Sequence, residues 1–347
     1  MTGRTVARRF KNVIQTSMPA LKSPVISVAP MMDWTDRHCR YFHRLITPHA
    51  LLYTEMVTTN ALIHGDRKKI LLYNTSEHPV ALQLGGSDPG HLGQCAMHGE
   101  DAGYDEINLN CGCPSDRVQE GQFGACLMKD PARVAECVSA MRQAVQIPVT
   151  VKCRIGVDDC DDEAFLWRFV EEVSAAGCTK FIVHARKAWL KGLSPKENRT
   201  VPPLNHNLVC KLKRCFPELM IVINGGIENI EQTVQFLDIL DGVMIGRAAY
   251  QTPFLLGDIE KNLFIKSNIR SRADILLEMK NYAQMQNTRY GTPVKSVTRH
   301  MMGLYHGLPG ARKFRRVLNT APHRSPDDFS VFDDAFAAMT EIEKVQA

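Results

Sequence analysis

Between residues 25 and 245 of this 347-residue chain, short apolar runs alternate with helix-patterned stretches eight times. No other feature restricts the fold as tightly. The runs are Val25–Met31, Leu51–Thr54, Val80–Leu84, Glu106–Leu109, Val149–Lys152, Phe181–His184, Ile221–Asn224 and Gly242–Ile245. Continuous apolar runs of this length read as strands buried on both faces, the condition of a parallel sheet. Helical spacing fills the gaps over Arg37–Leu45, Gly90–Ala102, Pro131–Val145, Asp162–Ala176, Leu208–Cys215 and Ile230–Leu237. Pro131 suits a first helical turn, and Gly103 and Gly177 suit helix ends. The pattern predicts an α/β protein of the (β/α)8 TIM-barrel type, which runs to about 250 residues. A doubly wound open sheet fits less well, because no Gly-x-Gly-x-x-Gly follows the first run.

Beyond residue 255 the strand signals vanish. Helical periodicity over Ala273–Gln286 and Lys295–Leu304 predicts a separate helical domain. We therefore expect a basic extension over 1–23, a barrel over 24–256 and a helical unit over 257–347.

Charge separates these regions more sharply than the net value of +5 does. Residues 1–23 carry Arg4, Arg8, Arg9, Lys11 and Lys22 and no acid, which reads as a frayed basic extension or a targeting segment. Residues 261–316 carry twelve Lys or Arg against only Asp274 and Glu278. Within them, Arg312, Arg315 and Arg316 lie at helical i, i+3 and i+4, on one face, suited to phosphate oxygens. A solvated charged face is the plainer alternative. No run reaches the ~18 apolar residues of a membrane span. The N-terminus has no long apolar core, and the eleven cysteines lack zinc-site spacing. We expect free thiols, no metal, no membrane, a cytoplasmic location and a monomer.

A barrel enzyme keeps its chemistry at the carboxyl ends of its strands. The stretch Asn108-Leu-Asn-Cys-Gly-Cys-Pro114 is the most suggestive of these ends. Asn108 and Asn110 are expected on opposite sides of the strand. Asn110, Cys111 and Cys113 are expected on the loop beyond it. A thiol beside an amide there is a candidate proton donor or nucleophile, while small core fillers are the plainer alternative. Gly225-Gly226 after the seventh run and Gly246-Arg247 after the eighth suit a phosphate, through close backbone approach and a guanidinium. Gln83, Lys152 and His184 at neighbouring tips suit a heteroaromatic ring, and Lys152 can stabilise negative charge on it. With Met31 and Met32 as apolar contacts, the set fits a flavin mononucleotide.

Five segments carry a family resemblance. Ser27-Val-Ala-Pro-Met-Met-Asp-Trp-Thr-Asp36, Asn108-Leu-Asn-Cys-Gly-Cys-Pro-Ser115, Val151-Lys-Cys-Arg-Ile-Gly156, His184-Ala-Arg-Lys-Ala-Trp189 and Asn224-Gly-Gly226 resemble the tRNA-dihydrouridine synthases. Leu193-Ser-Pro-Lys-Glu-Asn-Arg199 and Thr298-Arg-His-Met301 are similar to the DusA branch, assigned to positions 20 and 20a of the tRNA D-loop. The resemblance spans about residues 25–320. It implies FMN, NADPH as reductant, and reduction of the C5–C6 bond of uridine in tRNA. Cys113 is implied as the proton donor to C5, with hydride reaching C6 from the opposite face. An ordinary cysteine, with a pKa of about 8.5, is protonated at neutral pH and suits that role. Asn110 is implied to hold the uracil. Pro30, Met31, Met32, Gln83, Lys152, His184, Asn224, Gly225, Gly226, Gly246 and Arg247 are implied to bind FMN. Lys196 and Arg199 are implied to touch tRNA near the flipped base, and the basic helical domain adds Arg299, Arg312, Lys313, Arg315 and Arg316. Cys111 departs from the family pattern, where an apolar residue is usual; we expect it inert and facing the barrel wall. The competing expectations are a flavin reductase of a small pyrimidine or enone, and a non-catalytic RNA-binding barrel.

Overall fold

The computed structural model describes residues 24–264 and 269–346, so the basic extension over 1–23 lies outside the described residues. Eight parallel strands close into a barrel in chain order, each paired with the next and the last with the first. They are β1 (Val25–Val28), β2 (Leu51–Thr58), β3 (Val80–Gly85), β4 (Glu106–Cys111), β5 (Val149–Arg154), β6 (Lys180–His184), β7 (Met220–Asn224) and β8 (Gly242–Ile245). Around them run α1 (Arg37–Ile46), the short α2 (Thr59–His64) and α3 (Arg67–Ile70), α4 (Pro89–Asp101), α5 (Asp116–Glu120), α6 (Pro131–Ala144), α7 (Glu163–Ala175), α8 (His206–Cys215) and α9 (Ile230–Leu237). After β8 come α10 (Arg247–Gln251), α11 (Phe254–Leu263), α12 (Arg272–Tyr290), α13 (Val294–Thr298), α14 (Ala311–Leu318) and α15 (Ser330–Gln346).

Local chemistry starts most of the barrel helices where they begin. Asp36, Asp88, Asp130, Asp162, Asn205 and Asn229 each accept a backbone N–H of the first turn of the helix that follows, and such caps are worth about 0.5–2 kcal/mol each. Pro89 and Pro131 add a pre-set φ at the first helical position.

The apolar side chains form two layers. The larger lies between strands and helices and includes Ile107, Leu109, Cys111, Val151, Cys153 and Val183. A small plug of Ala29, Tyr53, Ala81, Ile182, Val222 and Met244 fills the barrel interior. Alternation along each strand decides which layer a residue joins.

Four expectations are corrected. The first strand stops at Val28 rather than Met31, because Pro30 has no N–H for a ladder and Trp34 and Thr35 fold back onto the Met31 carbonyl. The second continues to Thr58, past a register shift between Tyr53 and Met56. Asn110 and Cys111 belong to β4 and not to the loop. Asn108 and Asn110, two residues apart, share one side: both bond Gln83.

In the C-terminal region the expected Lys295–Leu304 helix forms only as the short Val294–Thr298. Gly303 instead lies flat against the end of α10, where a Cβ would sit 2.4 Å from the Gln251 carbonyl oxygen. The C-terminal helices dock on α1. Tyr282 stacks on Tyr41 with ring centroids 3.9 Å apart and bonds His38 Nδ1 at 2.9 Å. α11 runs unbroken through Gly257.

Candidate active site

The strand tips of β3 to β8 converge on one mouth. Cys113 stands there, two residues past the end of β4 and partly exposed. Three contacts hold its loop. The Asn110 side-chain oxygen accepts the N–H groups of Gly112 at 3.1 Å and Cys113 at 3.0 Å. The Cys113 carbonyl accepts Ala125 N–H at 2.9 Å, an approach that Gly124 permits because a Cβ there would fall 2.5 Å from that oxygen. The thiol itself donates to Ser115 Oγ at 3.5 Å. Cys111 points the other way, fully buried among the helix-facing side chains, and burial pushes its thiol well above the ordinary range. It is a packing residue, as expected, and not a second acid at the tip.

Sequence reasoning missed the residue that braces this loop. Arg154, at the end of β5, is 3% exposed. Its Nε donates to the Gly112 carbonyl at 2.8 Å, and its Nη1 to the carbonyls of Lys187 at 3.1 Å and Asn198 at 3.0 Å. Asn198, fully buried, ties the long loop after β6 by accepting Trp189 N–H and donating to the Trp189 and Leu193 carbonyls. That loop carries Lys196 and Arg199, both exposed. Arg247 Nη2 donates to the Arg199 carbonyl at 3.2 Å, which holds the loop over the tip of β8.

Cations crowd the mouth. Arg154, Arg186 and Arg199 each have their protonation weakened, by burial first and then by neighbouring guanidiniums: Arg199 and Arg186 act on Arg154, and Arg247 acts on the other two. For Arg154 the two together bring the guanidinium down to about 10. Burial, and then Arg154, hold Lys152 at about 8. His184 is driven well below the usual histidine range by burial and then by Arg154 and Lys152, so it is neutral at physiological pH. Among the described residues, no carboxylate forms a salt bridge to any of these four arginines or to Lys152. An anion of high charge would relieve this repulsion.

The chain also leaves room for one. Gly225 and Gly226 take φ of +106° and +71°, where side chains are strained. A Cβ on Gly225 would press to 2.5 Å from the His184 ring. A Cβ on Gly246 would meet only Ala29, at 3.9 Å, so the space above the tip of β8 is open. Asn224 is held by donation to the Met244 carbonyl at 2.8 Å. At the β1 tip, Met31 packs against the interior plug, Met32 is 57% exposed and Pro30 is half-buried. The residues present fit a phosphorylated flavin. Gly225, Gly226, Gly246 and Arg247 would hold its phosphate, Gln83, Lys152 and His184 its polar ring edge, and the methionines its apolar side.

The remaining cations lie on the flank. Arg312, Arg315 and Arg316 are exposed on α14, whose Phe314 and Leu318 face inward. Arg299 sits at the junction of barrel and C-terminal helices, where its Nη2 bonds Asp36 at 2.7 Å beside His300. A cleft of about 1080 Å³ opens next to this pair, lined by Arg37, Lys68, Lys69, Lys295 and Arg299 among others. Arg37 Nε is buried there without a hydrogen-bond partner. No group of three or more His, Cys, Asp or Glu among the described residues is placed to hold a metal ion, and no described helix is long and apolar enough to cross a membrane.

Fold and site together define a barrel of eight parallel strands with a cation-lined mouth and a partly exposed thiol at its rim. A family model described as Dihydrouridine synthase (Dus) matches residues 27–339, and the chain belongs to that family. It is similar over most of its length to proteins named tRNA-dihydrouridine(20/20a) synthase. The one from Vibrio cholerae is 53% identical over 316 residues, covering 90% of this chain and 96% of its own. The Xanthomonas campestris protein is 55% identical over 310 residues, covering 89% and 92%. The Synechocystis protein is 56% identical over 295 residues, covering 85% and 88%.

Proposed function

We propose that this chain reduces uridines 20 and 20a of the tRNA D-loop to dihydrouridine, with FMN as cofactor and NADPH as reductant. The observation that carries the reading is the partly exposed Cys113 thiol held beside uncompensated cations at the strand tips. Bound and reduced, FMN supplies the hydride for C6 of the uracil. The chain's own residues do the rest. Cys113 holds the proton for C5, and its loop is fixed by Asn110 and Arg154 so that the thiol meets the ring edge. Lys152, when protonated, favours negative charge on the flavin ring. His184, neutral, supplies a hydrogen bond without adding charge. Asn110 retains one side-chain N–H for a uracil carbonyl. The direct test is mass spectrometry of unmodified tRNA after incubation with protein, FMN and NADPH. A gain of two hydrogens at positions 20 and 20a supports the reading, and unchanged tRNA with full NADPH oxidation on a free pyrimidine overturns it.

The barrel (24–256) and the helical region (257–347) divide the work on this reading. The target uridine must leave its stack to reach the mouth, at a cost of a few kcal/mol, so binding elsewhere must supply that energy. Lys196 and Arg199 touch the nucleotides near the flipped base. Arg312, Lys313, Arg315, Arg316 and the basic cleft that holds Arg37 and Arg299 grip backbone phosphates. The protein acts as a cytoplasmic monomer.

Two results follow. The Arg312→Ala, Arg315→Ala pair should bind tRNA more weakly, with a log–log salt slope shallower by roughly two, while flavin content is unchanged. An unaltered slope would move the grip to Lys196, Arg199 or the N-terminal extension. Gly225→Ala should cost about 1–3 kcal/mol in backbone strain and press on His184. FMN titration of the apoprotein should then show clearly weaker binding, and wild-type affinity would remove His184 and this turn from the flavin site.

A further inference from the structure

A single file of hydrogen bonds crosses the barrel from its floor to its mouth. At the floor, Glu106 accepts from Lys180 Nζ at 2.7 Å, from the Tyr53 hydroxyl at 2.5 Å and from the Thr150 hydroxyl at 2.7 Å. Thr150 Oγ1 accepts from Asn108 Nδ2 at 2.8 Å. Asn108 Oδ1 accepts from Gln83 Nε2 at 2.8 Å, and Gln83 Oε1 accepts from Asn110 Nδ2 at 2.8 Å. Asn110 Oδ1 then accepts the Gly112 and Cys113 amides. Strand register places Gln83, Asn108 and Thr150 side by side at one level of the barrel. Tyr53, Gln83, Glu106, Asn108, Asn110 and Thr150 are all buried.

The file has a direction. A carboxylate accepts and cannot donate. Thr150 has one hydroxyl hydrogen and gives it to Glu106, so toward Asn108 it can only accept. Asn108 must therefore turn its NH2 to Thr150 and its oxygen to Gln83. The same constraint turns the Gln83 oxygen to Asn110, and the Asn110 oxygen to the Cys113 loop. Reversing any one amide would set oxygen against oxygen or NH2 against NH2 in a buried site, at about 1–3 kcal/mol for each unmade bond.

We propose that Thr150 and the Glu106–Lys180 pair are positioning residues for the reduction: from the barrel floor they set which way the Gln83 and Asn110 amides face, and through Asn110 they hold the loop of Cys113. The proposal rests on Cys113 being the acid. None of the three residues touches the mouth. Their effect is to pre-orient the amide N–H that Gln83 and Asn110 each keep free, together with the thiol.

Thr150→Val keeps the side chain's shape and removes the hydroxyl, and Thr150→Ser keeps the hydroxyl. With flavin-loaded full-length protein and tRNA, Thr150→Val should lower kcat by on the order of 10- to 100-fold, as small misplacements of reacting groups do. KM for tRNA should stay within about twofold to threefold, since all of its proposed contacts except that of Asn110 with the uracil lie far from the file. Thr150→Ser should recover most of the loss. A merely structural role would lower folded yield and leave kcat per folded, flavin-loaded molecule unchanged. Should Thr150→Val fail to fold, the Glu106→Leu, Lys180→Met pair removes the acceptor that sets direction and should show the same kcat loss with KM unchanged. Wild-type kcat in the folded variants, or equal loss in Thr150→Ser and Thr150→Val, overturns the proposal. Wild-type protein run in parallel reports separately on the underlying reading: if it forms no dihydrouridine, that reading fails before the variants are compared.

Discussion

Replacing Cys113 by alanine lowers the rate of dihydrouridine formation by about 10²- to 10⁴-fold, the usual contribution of a positioned general acid. Two thiols lie two residues apart at the end of β4, and geometry separates their roles. Cys113 is partly exposed, donates to Ser115 and sits on a loop braced by Asn110 and Arg154. Cys111 is fully buried behind the strand among Val151, Cys153 and their neighbours. Cys111→Ala should leave the rate within a few-fold and cost about 1 kcal/mol or less of stability. Cys113→Ala should still take up FMN and be bleached by NADPH, because neither step uses the thiol. Single-turnover reduction of tRNA, with flavin absorbance as the loading control, distinguishes these outcomes. The opposite pattern, with Cys111→Ala inactive and Cys113→Ala active, would reassign the acid.

Arg40→Ala should destabilise the protein by about 3–5 kcal/mol, the cost of stranding a buried charge. Arg40 on α1 and Glu77 before β3 meet at 2.7 Å, with side chains 5% and 0% exposed. Arg40 Nη1 also donates to the Thr35 carbonyl at 2.9 Å. Glu77 Oε1 accepts Asn74 N–H at 2.7 Å, completing a capping box, and the Glu77 carbonyl accepts from Arg44 at 3.0 Å. Removing Arg40 therefore leaves a fully buried carboxylate without the guanidinium it was paired to. Replacing both with methionine should recover much of the loss, because the pair's own desolvation cost disappears with it. Urea unfolding of the two singles and the double provides the coupling. Less than about 1 kcal/mol for either single would mean that water reaches the pair.

The barrel was legible because strands covered on both faces read as unbroken apolar runs, and Pro131, Gly103 and Gly177 mark ends of the helices between them. Strand ends were less legible. Glu55 and Thr58 extend β2 beyond its apolar run, and Asn110 extends β4, since polar residues at a strand's end look like loop residues in sequence. The turn at Gly225 and Gly226 was legible because paired glycines after a strand mark a tight turn, and the backbone there takes φ of +106° and +71°. Arg154 was not, although it sits in a segment singled out for other reasons. Its partners are carbonyls of Gly112, Lys187 and Asn198, and no side-chain pattern records a carbonyl. The floor of the hydrogen-bond file was hidden for a related reason. Glu106, Thr150 and Lys180 each look like an ordinary polar residue at the start of a strand, and only closure of the barrel brings them together.

Asp36 links two tasks in one carboxylate. Its Oδ1 caps α1 by accepting His38 and Cys39 N–H, while its Oδ2 accepts from Arg299 and His300 of the C-terminal helices. His300 in turn bonds Tyr250, which stacks on Trp34 at 4.4 Å. Trp34 belongs to the same loop as Met31 and Met32, the two methionines proposed to line the flavin. A chimera that borrowed these helices for another barrel would bring Arg299 and His300 to a surface with nothing to receive them. The transplantable piece is larger than the helical region: it must include the β1–α1 loop, so exchanging these helices between enzymes of this kind also exchanges part of the rim of the barrel mouth.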